Sequence, residues 1–169
     1  MKIGVLSDTH LQRVNPEFKA LLKRFFDDCD ALIHVGDFTN IAIYKYLKEF
    51  MKEKVYAVCG NMDEGELRKI LPERQVVDIE GVKLGLIHGW GAPYGIEERI
   101  KAVFATEGVR AIIYGHTHNP ANHWDSGILF FNPGSPTDRI YASRNTLGIL
   151  EIDKGKIMGR IVEVGPWRK

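Results

Sequence analysis

The sequence predicts an α/β domain with two packed β-sheets and helices on the outside. Early in the chain, short apolar runs alternate with amphipathic helical patterns, and later the strand patterns follow one another directly. The 169 residues are 44% hydrophobic, which is enough to bury a sizeable core without a disulfide or a structural metal. We therefore expect residues 1–169 to form one domain.

Three stretches have the apolar spacing of an amphipathic helix. Behind Pro16, apolar residues recur at i, i+3, i+4, i+7 and i+8 from Phe18 onward. A proline at this position has the backbone angle that the first helical turn needs. The same period recurs in residues 40–51 and in residues 95–106, and Gly108 follows the latter as the expected stop.

Short apolar runs and turn residues predict the strands. A strand that is buried on both faces is apolar throughout, and five such runs lie at residues 2–6, 31–35, 55–58, 84–87 and 110–114. Two strands around a short turn with glycine predict a β-hairpin. Three hairpins are expected, at residues 75–79 with 82–87, 122–125 with 128–131, and 147–152 with 156–164.

Charge and cysteine content exclude several classes of protein. The 23 Lys and Arg residues nearly balance the 22 Asp and Glu residues, so no strong field attracts nucleic acid or an anionic membrane. Cys29 and Cys59 are too few for a disulfide framework and suit a reducing compartment. No apolar run has the roughly 18 residues of a membrane span. We expect a cytoplasmic protein. The sequence leaves both a monomer and a homo-oligomer as alternatives.

Polar side chains follow the ends of five predicted strands. In α/β sheets, ligands bind beyond the carboxyl ends of the strands. Each fragment alone is a weak signal, but ordinary turns give no reason for Asp, Asn and His to follow five strands. The fragments are Asp8-Thr9-His10, Gly36-Asp37, Gly60-Asn61, His88-Gly89 and Gly115-His116-Thr117-His118. The sequence therefore predicts one site at this edge.

The residue types indicate metal ions. Seven nitrogen and oxygen ligands without a thiolate exceed the four of a tetrahedral zinc site and suit two octahedral ions such as Mn²⁺, Fe or Ni. Two such ions about 3.5–4 Å apart are typical of phosphoryl transfer. If the segment around His116 and His118 is extended, both rings point the same way and could face one ion.

These five motifs, in this order, resemble the calcineurin-like metallophosphoesterase superfamily. The chain length and the segment Asn132-Pro133-Gly134-Ser135 resemble its small phosphodiesterase branch, which also contains the retromer vacuolar-sorting subunit. The resemblance covers residues 1 to about 139. It implies a four-layer α-β-β-α sandwich of two mixed sheets flanked by helices, with the metals at the strand ends.

The resemblance also implies the ligand sets. One ion would be held by Asp8, His10, Asp37 and His118, and the other by Asp37, Asn61, His88 and His116, with Asp37 bridging. We expect Mn²⁺, with Ni²⁺, Fe²⁺ or Zn²⁺ as alternatives. The expected reaction is hydrolysis of a small phosphodiester, in which Asp37, Asn61 and His88 act through an activated bridging water. The alternatives are a metal-binding scaffold without turnover and a phosphomonoesterase.

Met62 departs from the family pattern. Many relatives have a histidine there that protonates the leaving group, so the resemblance implies that this general acid is missing. Asp63 is expected either to orient a ligand or to cap a helix over Glu64–Ile70.

Other polar and aromatic residues have two readings each. His34 is expected in the core or behind the ligands, and His123 on a hairpin surface. Arg139 would be either an exposed charge or a phosphate contact. Trp90 and Tyr94 would either form a pocket wall or simply pack.

Overall fold

The computed structural model describes residues 1–167, which form ten strands and four helices. In chain order the elements are β1 (Lys2–Leu6), α1 (Pro16–Phe26), β2 (Ala31–Val35), α2 (Ile41–Phe50), β3 (Val55–Val58), α3 (Glu66–Ile70), β4 (Arg74–Ile79), β5 (Val82–Ile87), α4 (Ile96–Val103), β6 (Ala111–Ile113), β7 (Ala121–Asp125), β8 (Ile128–Asn132), β9 (Thr146–Asp153) and β10 (Lys156–Glu163).

The strands form two mixed five-stranded sheets. The first has the order β10-β9-β1-β2-β3 and the second β4-β5-β6-β8-β7. Strands β1, β2 and β3 run parallel, as do β5, β6 and β8, because helices or a hairpin connect them. The pairs β4–β5, β7–β8 and β9–β10 are antiparallel, which confirms the three predicted hairpins.

Apolar side chains fill three layers, which makes the fold the expected four-layer α-β-β-α sandwich. Residues from both sheets, such as Val5 and Ile113, form the central layer. Helices α1, α2 and α3 cover the outer face of the first sheet, where Leu22 and Leu47 are buried. Helix α4 covers the second sheet through Ile100.

Helices α1 and α2 each begin after an asparagine cap. The side-chain oxygen of Asn15 accepts the N–H of Phe18 at the start of α1, and that of Asn40 accepts the N–H of Ala42 at the start of α2. Among the helices within residues 1–167, none is both long and apolar enough to cross a membrane.

Three predicted boundaries are wrong by a few residues. Helix α4 ends at Val103 rather than 106, because its last turn continues as tight turns before Gly108 takes its positive φ of 67°. Strand β6 spans only Ala111–Ile113. Helix α3 begins at Glu66 instead of residue 64 because Gly65 has a non-helical backbone.

Phe131 closes the central layer between the two sheets. The ring extends from β8 to the opposite sheet, where Gly148 of β9 leaves the necessary space. A Cβ atom at Gly148 would overlap the ring, so the approach requires glycine. The two sheets are therefore held at their present distance partly by this pair.

We predict that Phe131→Ala lowers the free energy of unfolding by about 3–5 kcal/mol, because it leaves a cavity in a fully buried layer. Phe131→Leu should cost clearly less, since it retains most of the apolar volume. Urea denaturation followed by circular dichroism measures both variants. A loss below about 1 kcal/mol for Phe131→Ala would contradict this role of the ring.

Candidate metal centre

The structure brings the seven predicted ligand residues to one end of the two sheets. The first sheet contributes Asp8 and His10 after β1, Asp37 after β2 and Asn61 after β3. The second sheet contributes His88 after β5 and the segment with His116 and His118 after β6.

Asp8 is buried and uses one carboxylate oxygen for the protein and one for the site. Its Oδ2 accepts hydrogen bonds from the Ser7 hydroxyl (2.5 Å) and from the N–H of His116 (3.0 Å). Its Oδ1 lies 3.3 Å from His118 Nε2 and 3.8 Å from His88 Nε2. This oxygen therefore faces imidazole rings from two directions.

In Asp37, too, one carboxylate oxygen bonds to the protein and the other faces the site. Its Oδ1 accepts the N–H of Met62 at 2.8 Å. Its Oδ2 lies 3.6 Å from His10 Nε2 and 3.4 Å from His88 Nε2. The open oxygen thus lies between a histidine of one predicted ligand set and a histidine of the other.

Three histidine rings are held by one nitrogen, which leaves the other nitrogen for the site. His88 Nδ1 donates to the carbonyl of Val35 at 2.7 Å, and His118 Nδ1 bonds the Asp138 carboxylate. His116 Nε2 donates to the carbonyl of Gly91 at 2.8 Å. Such hydrogen bonds select the tautomer and orientation of a metal-binding histidine.

The rings of His116 and His118 diverge, so the prediction that an extended segment points both at one ion is wrong. Both residues have left-handed backbones, with φ of 68° and 57°. The His118 ring stacks beside His10 with centroids 5.1 Å apart, and the His116 ring lies 5.3 Å from His88. This pairing follows the two ligand sets that the family resemblance implies.

Asn61 approaches His116 rather than the buried carboxylates. Its Oδ1 lies 3.1 Å from His116 Nδ1, and the side chain is exposed. Because His116 Nε2 is bonded to the Gly91 carbonyl, Nδ1 is the ring nitrogen that faces the Asn61 amide. Imidazole nitrogen and amide oxygen are both atoms that can bind a divalent cation.

Asp63 organises the loop that carries Asp37. Its buried carboxylate accepts the backbone N–H groups of Asp37 (2.9 Å), Thr39 (2.8 Å) and Gly60 (2.8 Å). It does not cap α3, so that alternative is wrong, and its bond to the Asp37 backbone supports the orienting role. Gly60 must be glycine, because a Cβ atom there would overlap the Asp37 carboxylate.

The segment after β8 supports two ligand loops, and the sequence analysis did not predict the contacts that its residues make. The Ser135 hydroxyl donates to the Asp8 carbonyl at 2.7 Å, and the Thr137 hydroxyl donates to the Thr9 carbonyl. Asn132 Nδ2 donates to the Gly115 carbonyl at 3.0 Å, and Asp138 holds His118. The sequence feature that could have indicated these residues is β8 itself, a further parallel strand that ends at the edge where the ligand residues lie.

Arg99 of α4 shapes the loop between β5 and α4, and this loop contacts the site. The guanidinium donates to the carbonyls of Trp90, Ala92 and Tyr94, which folds the loop into one shape. This shape places the Gly91 carbonyl against His116 Nε2. Arg99 therefore positions His116 without touching it.

Two histidines lie outside the ligand sets, as expected. His34 is buried, stacks on Phe38, and accepts the N–H of Gly36 at Nδ1. Burial lowers the pKa of His34 to about 3, so the ring is neutral. His123 lies half-exposed on β7 against the Glu97 carboxylate, 3.1 Å away.

Arg139 and the loop aromatics lie near the centre. The Arg139 guanidinium donates to the carbonyl of Trp167 at 2.9 Å and lines the cleft above the ligands. Trp90 lines a smaller cleft beside His88, whereas Tyr94 is almost fully exposed.

Charge distribution makes the rings basic and the carboxylates acidic. Burial alone would lower the pKa of His88, but its contacts with Asp37 and Asp8 raise it to about 9. Burial opposes the shift at His118 as well, and its contacts with Asp8 and Asp138 raise its pKa to about 9. Although burial acts to raise the pKa of both Asp8 and Asp37, the same histidines keep it below the usual value.

The donor atoms fit divalent cations. Ligand atoms of Asp8, His10 and His118 lie within 4.8 Å of one another, as do those of Asp8, Asp37 and His88. Within residues 1–167, Asp8 Oδ1 and His88 Nε2 are the two buried side-chain atoms without a hydrogen-bond partner. Unpartnered buried polar atoms are costly, and here both point into the donor cluster.

Comparison with known proteins identifies one family. The calcineurin-like phosphoesterase superfamily domain matches residues 1–155. A probable metallophosphoesterase of Methanocaldococcus jannaschii is 39% identical over 138 residues, covering 81% of this chain and 69% of that protein. A phosphodiesterase of the same organism is 28% identical over 176 residues, covering 96% of this chain and all of that protein.

A solved structure shows the same fold. Vps29 of Entamoeba histolytica in complex with zinc has a TM-score of 0.71 at 24% identity. The match covers 96% of this chain and 99% of that one. At this identity the likeness concerns the fold alone.

We predict that metal binding releases protons, because the raised pKa values leave His88 and His118 protonated near pH 7 in the metal-free protein. The apparent affinity for Mn²⁺ should rise with pH up to about 9, by about tenfold per unit for each displaced proton. Calorimetry in buffers of different protonation enthalpy measures the release. Binding at pH 7 without proton release would contradict the prediction that both rings are protonated in the metal-free protein.

We also predict that Arg99→Lys weakens binding of one ion by about tenfold, since an ammonium cannot bond all three loop carbonyls. Calorimetry with Mn²⁺ measures the affinity. The control is Arg110→Lys, because Arg110 also bonds a backbone carbonyl, that of Gly127, at the far end of the fold. Equal affinities in both variants would show that the loop does not position His116.

Proposed function

Since the chain belongs to the calcineurin-like phosphoesterase superfamily, we propose that it is a phosphodiesterase that depends on two divalent metal ions. The proposed substrate is a small phosphodiester, and the proposed ions are Mn²⁺, with Ni²⁺, Fe²⁺ or Zn²⁺ as alternatives. The phosphodiesterase relative, 28% identical along its whole length, supports hydrolysis of a diester.

One observation carries the proposal: the position of Asp37 Oδ2 between two histidines. This oxygen lies 3.6 Å from His10 Nε2 and 3.4 Å from His88 Nε2, and the other oxygen is already bonded to the backbone. An acceptor that faces two ligand sets suits a bridging carboxylate. We assign Asp8, His10 and His118 to one ion and Asn61, His88 and His116 to the other.

The residues of the chain fix the site before a substrate arrives. A bound pair of divalent ions supplies a water of lowered pKa as the nucleophile and neutralises charge on the phosphate oxygens. Asp37 and Asp8 provide the negative charge that holds the cations, and the anchored rings provide oriented lone pairs. Met62 offers only a thioether, which cannot protonate the leaving group.

Turnover of bis(p-nitrophenyl) phosphate tests the proposal. Protein stripped of metal should be inactive, and Mn²⁺ added back should restore release of nitrophenolate. A monoester, p-nitrophenyl phosphate, should be hydrolysed more slowly under the same conditions. Absence of turnover with Mn²⁺, Ni²⁺, Fe²⁺ or Zn²⁺ would favour the alternative of a metal-binding scaffold, and faster monoester turnover would favour a phosphomonoesterase.

We predict that Asp37→Asn abolishes hydrolysis and lowers bound metal to one ion or none, because it removes the bridging charge. Elemental analysis counts the ions, and Asn61→Ala should weaken mainly one position. Asp125→Asn is the matched control, since that carboxylate is exposed and pairs with Lys101. Two fully bound ions in the Asp37→Asn protein would rule out the bridging assignment.

We predict that the rate falls steeply as the pKa of the leaving alcohol rises, because Met62 cannot donate a proton. A series of phosphodiesters from nitrophenyl to alkyl leaving groups gives the slope. Met62→His should flatten it, with a gain of about 10²-fold or more on the poorest leaving groups and little change on the best. A shallow slope in the unmodified protein would show that another group supplies the proton.

A further inference from the structure

Exposed apolar side chains concentrate around the metal centre. Eight large apolar side chains are exposed within residues 1–167, and five of them lie on loops at the metal edge: Met62, Trp90, Tyr94, Ile140 and Tyr141. Ile140 is 80% exposed and Tyr141 is 73% exposed. Clustered apolar exposure beside a polar site is typical of a ligand-binding surface.

Three of these side chains line the cleft that opens onto the ligands. The cleft has a volume of about 830 Å³, and its lining includes His10, Asp37, His116 and His118. Met62, Ile140 and Tyr141 line the same cleft, together with Leu11 and Trp167. A molecule whose phosphate lies at the metal centre would therefore have its ester groups against apolar surface.

The wall formed by Ile140 and Tyr141 is fixed in place. The Asp138 carboxylate accepts the N–H groups of Ile140 (2.8 Å), Tyr141 (3.0 Å) and Ala142 (2.8 Å). The same carboxylate holds His118, and the Tyr141 ring meets the His118 ring edge-on with centroids 5.7 Å apart. The wall thus has a set position relative to a predicted metal ligand.

The chemistry of this wall favours a flat ring. Tyr141 offers an aromatic face, and Arg139 from the same loop adds a guanidinium that lines the cleft. Aromatic rings bind well to both groups, through offset or edge-to-face stacking and through cation–π contact. Met62, which also lines the cleft, adds a sulfur atom that packs favourably on aromatic rings.

We propose that the wall of Ile140 and Tyr141 is a subsite for an aromatic ring carried by one ester arm of the phosphodiester. This inference rests on the proposed function and adds the class of substrate. The ring belongs either to an aryl group or to the base of a nucleoside, which share the flat apolar face.

The test varies the ester arm while the leaving group stays p-nitrophenol. The substrates are the methyl, phenyl and 5′-thymidine p-nitrophenyl phosphates, with Mn²⁺-loaded protein. We expect kcat/KM to favour at least one ring-bearing arm over methyl by about tenfold. Tyr141→Ala should reduce that preference several-fold, whereas Tyr141→Phe and the distant control Trp124→Ala should retain it.

The relative rates of the two ring-bearing substrates identify the source of the ring. Higher kcat/KM for the thymidine arm indicates a nucleoside, and equal or higher kcat/KM for phenyl indicates an aryl group. A preference that Tyr141→Ala leaves intact would overturn the subsite, while metal-dependent turnover would still support the hydrolase. Loss of rate on all arms in Tyr141→Phe would also overturn it, since the hydroxyl would then be the functional group.

A binding readout separates this inference from the proposed function. Methyl(phenyl)phosphinate and dimethylphosphinate have no ester bond to cleave, and calorimetry measures their affinity for the Mn²⁺-loaded protein. Tighter binding of the phenyl compound, lost in Tyr141→Ala, supports the subsite even if no diester is hydrolysed. Sedimentation that shows a dimer dispersed by Tyr141→Ala, with equal affinities for both phosphinates, would assign the wall to a second copy of the chain and overturn the proposal.

Discussion

The burial of two carboxylates at one point is the constraint on which the rest of the site depends. Asp8 is fully buried and Asp37 is 3% exposed, and both face the same histidines. Two like charges taken out of water repel each other and lose hydration, so each needs hydrogen bonds and cations. Hydrogen bonds from the Ser7 hydroxyl and from the Met62 backbone satisfy one oxygen of each carboxylate. In the metal-free protein, protonated imidazoles supply part of the positive charge for the other oxygens.

This constraint explains why the ligand loops have costly backbones. Asp8, His10 and Asp37 have φ of 52°, 44° and 58°, a region that few residues with side chains adopt. Such conformations persist only where neighbouring contacts over-determine them. Here the N–H of Asp8 bonds the Gly36 carbonyl, the N–H of His10 bonds the Asp37 carbonyl, and Ser135 bonds the Asp8 carbonyl. The two carboxylate loops therefore hold each other in place.

Sequence patterns predict the elements well because burial and turn chemistry are local. The apolar run 31–35 and the pattern behind Pro16 became β2 and α1 with those limits. The Asp, Asn and His residues after five strands could be assembled because parallel strands end at a common edge. The direction of each ring could not, since it depends on distant carbonyls such as Val35 and Gly91. Asp138 escaped notice because its contact with His118 spans a hairpin and 20 residues of chain.

The position of Met62 connects the chemistry of the site with its surface. An imidazole there would be a hydrated, titrating group, whereas a thioether is apolar and lines the same cleft as Ile140 and Tyr141. Compared with an imidazole, the thioether lacks a proton donor and extends the apolar surface toward Asp37, whose carboxylate accepts the Met62 N–H. A substrate whose leaving group is a stabilised anion loses little from the missing proton donor and gains from the apolar surface. For the proposed phosphodiesterase, Met62 would therefore favour esters with an acidic alcohol and an apolar group, and aromatic esters have both properties.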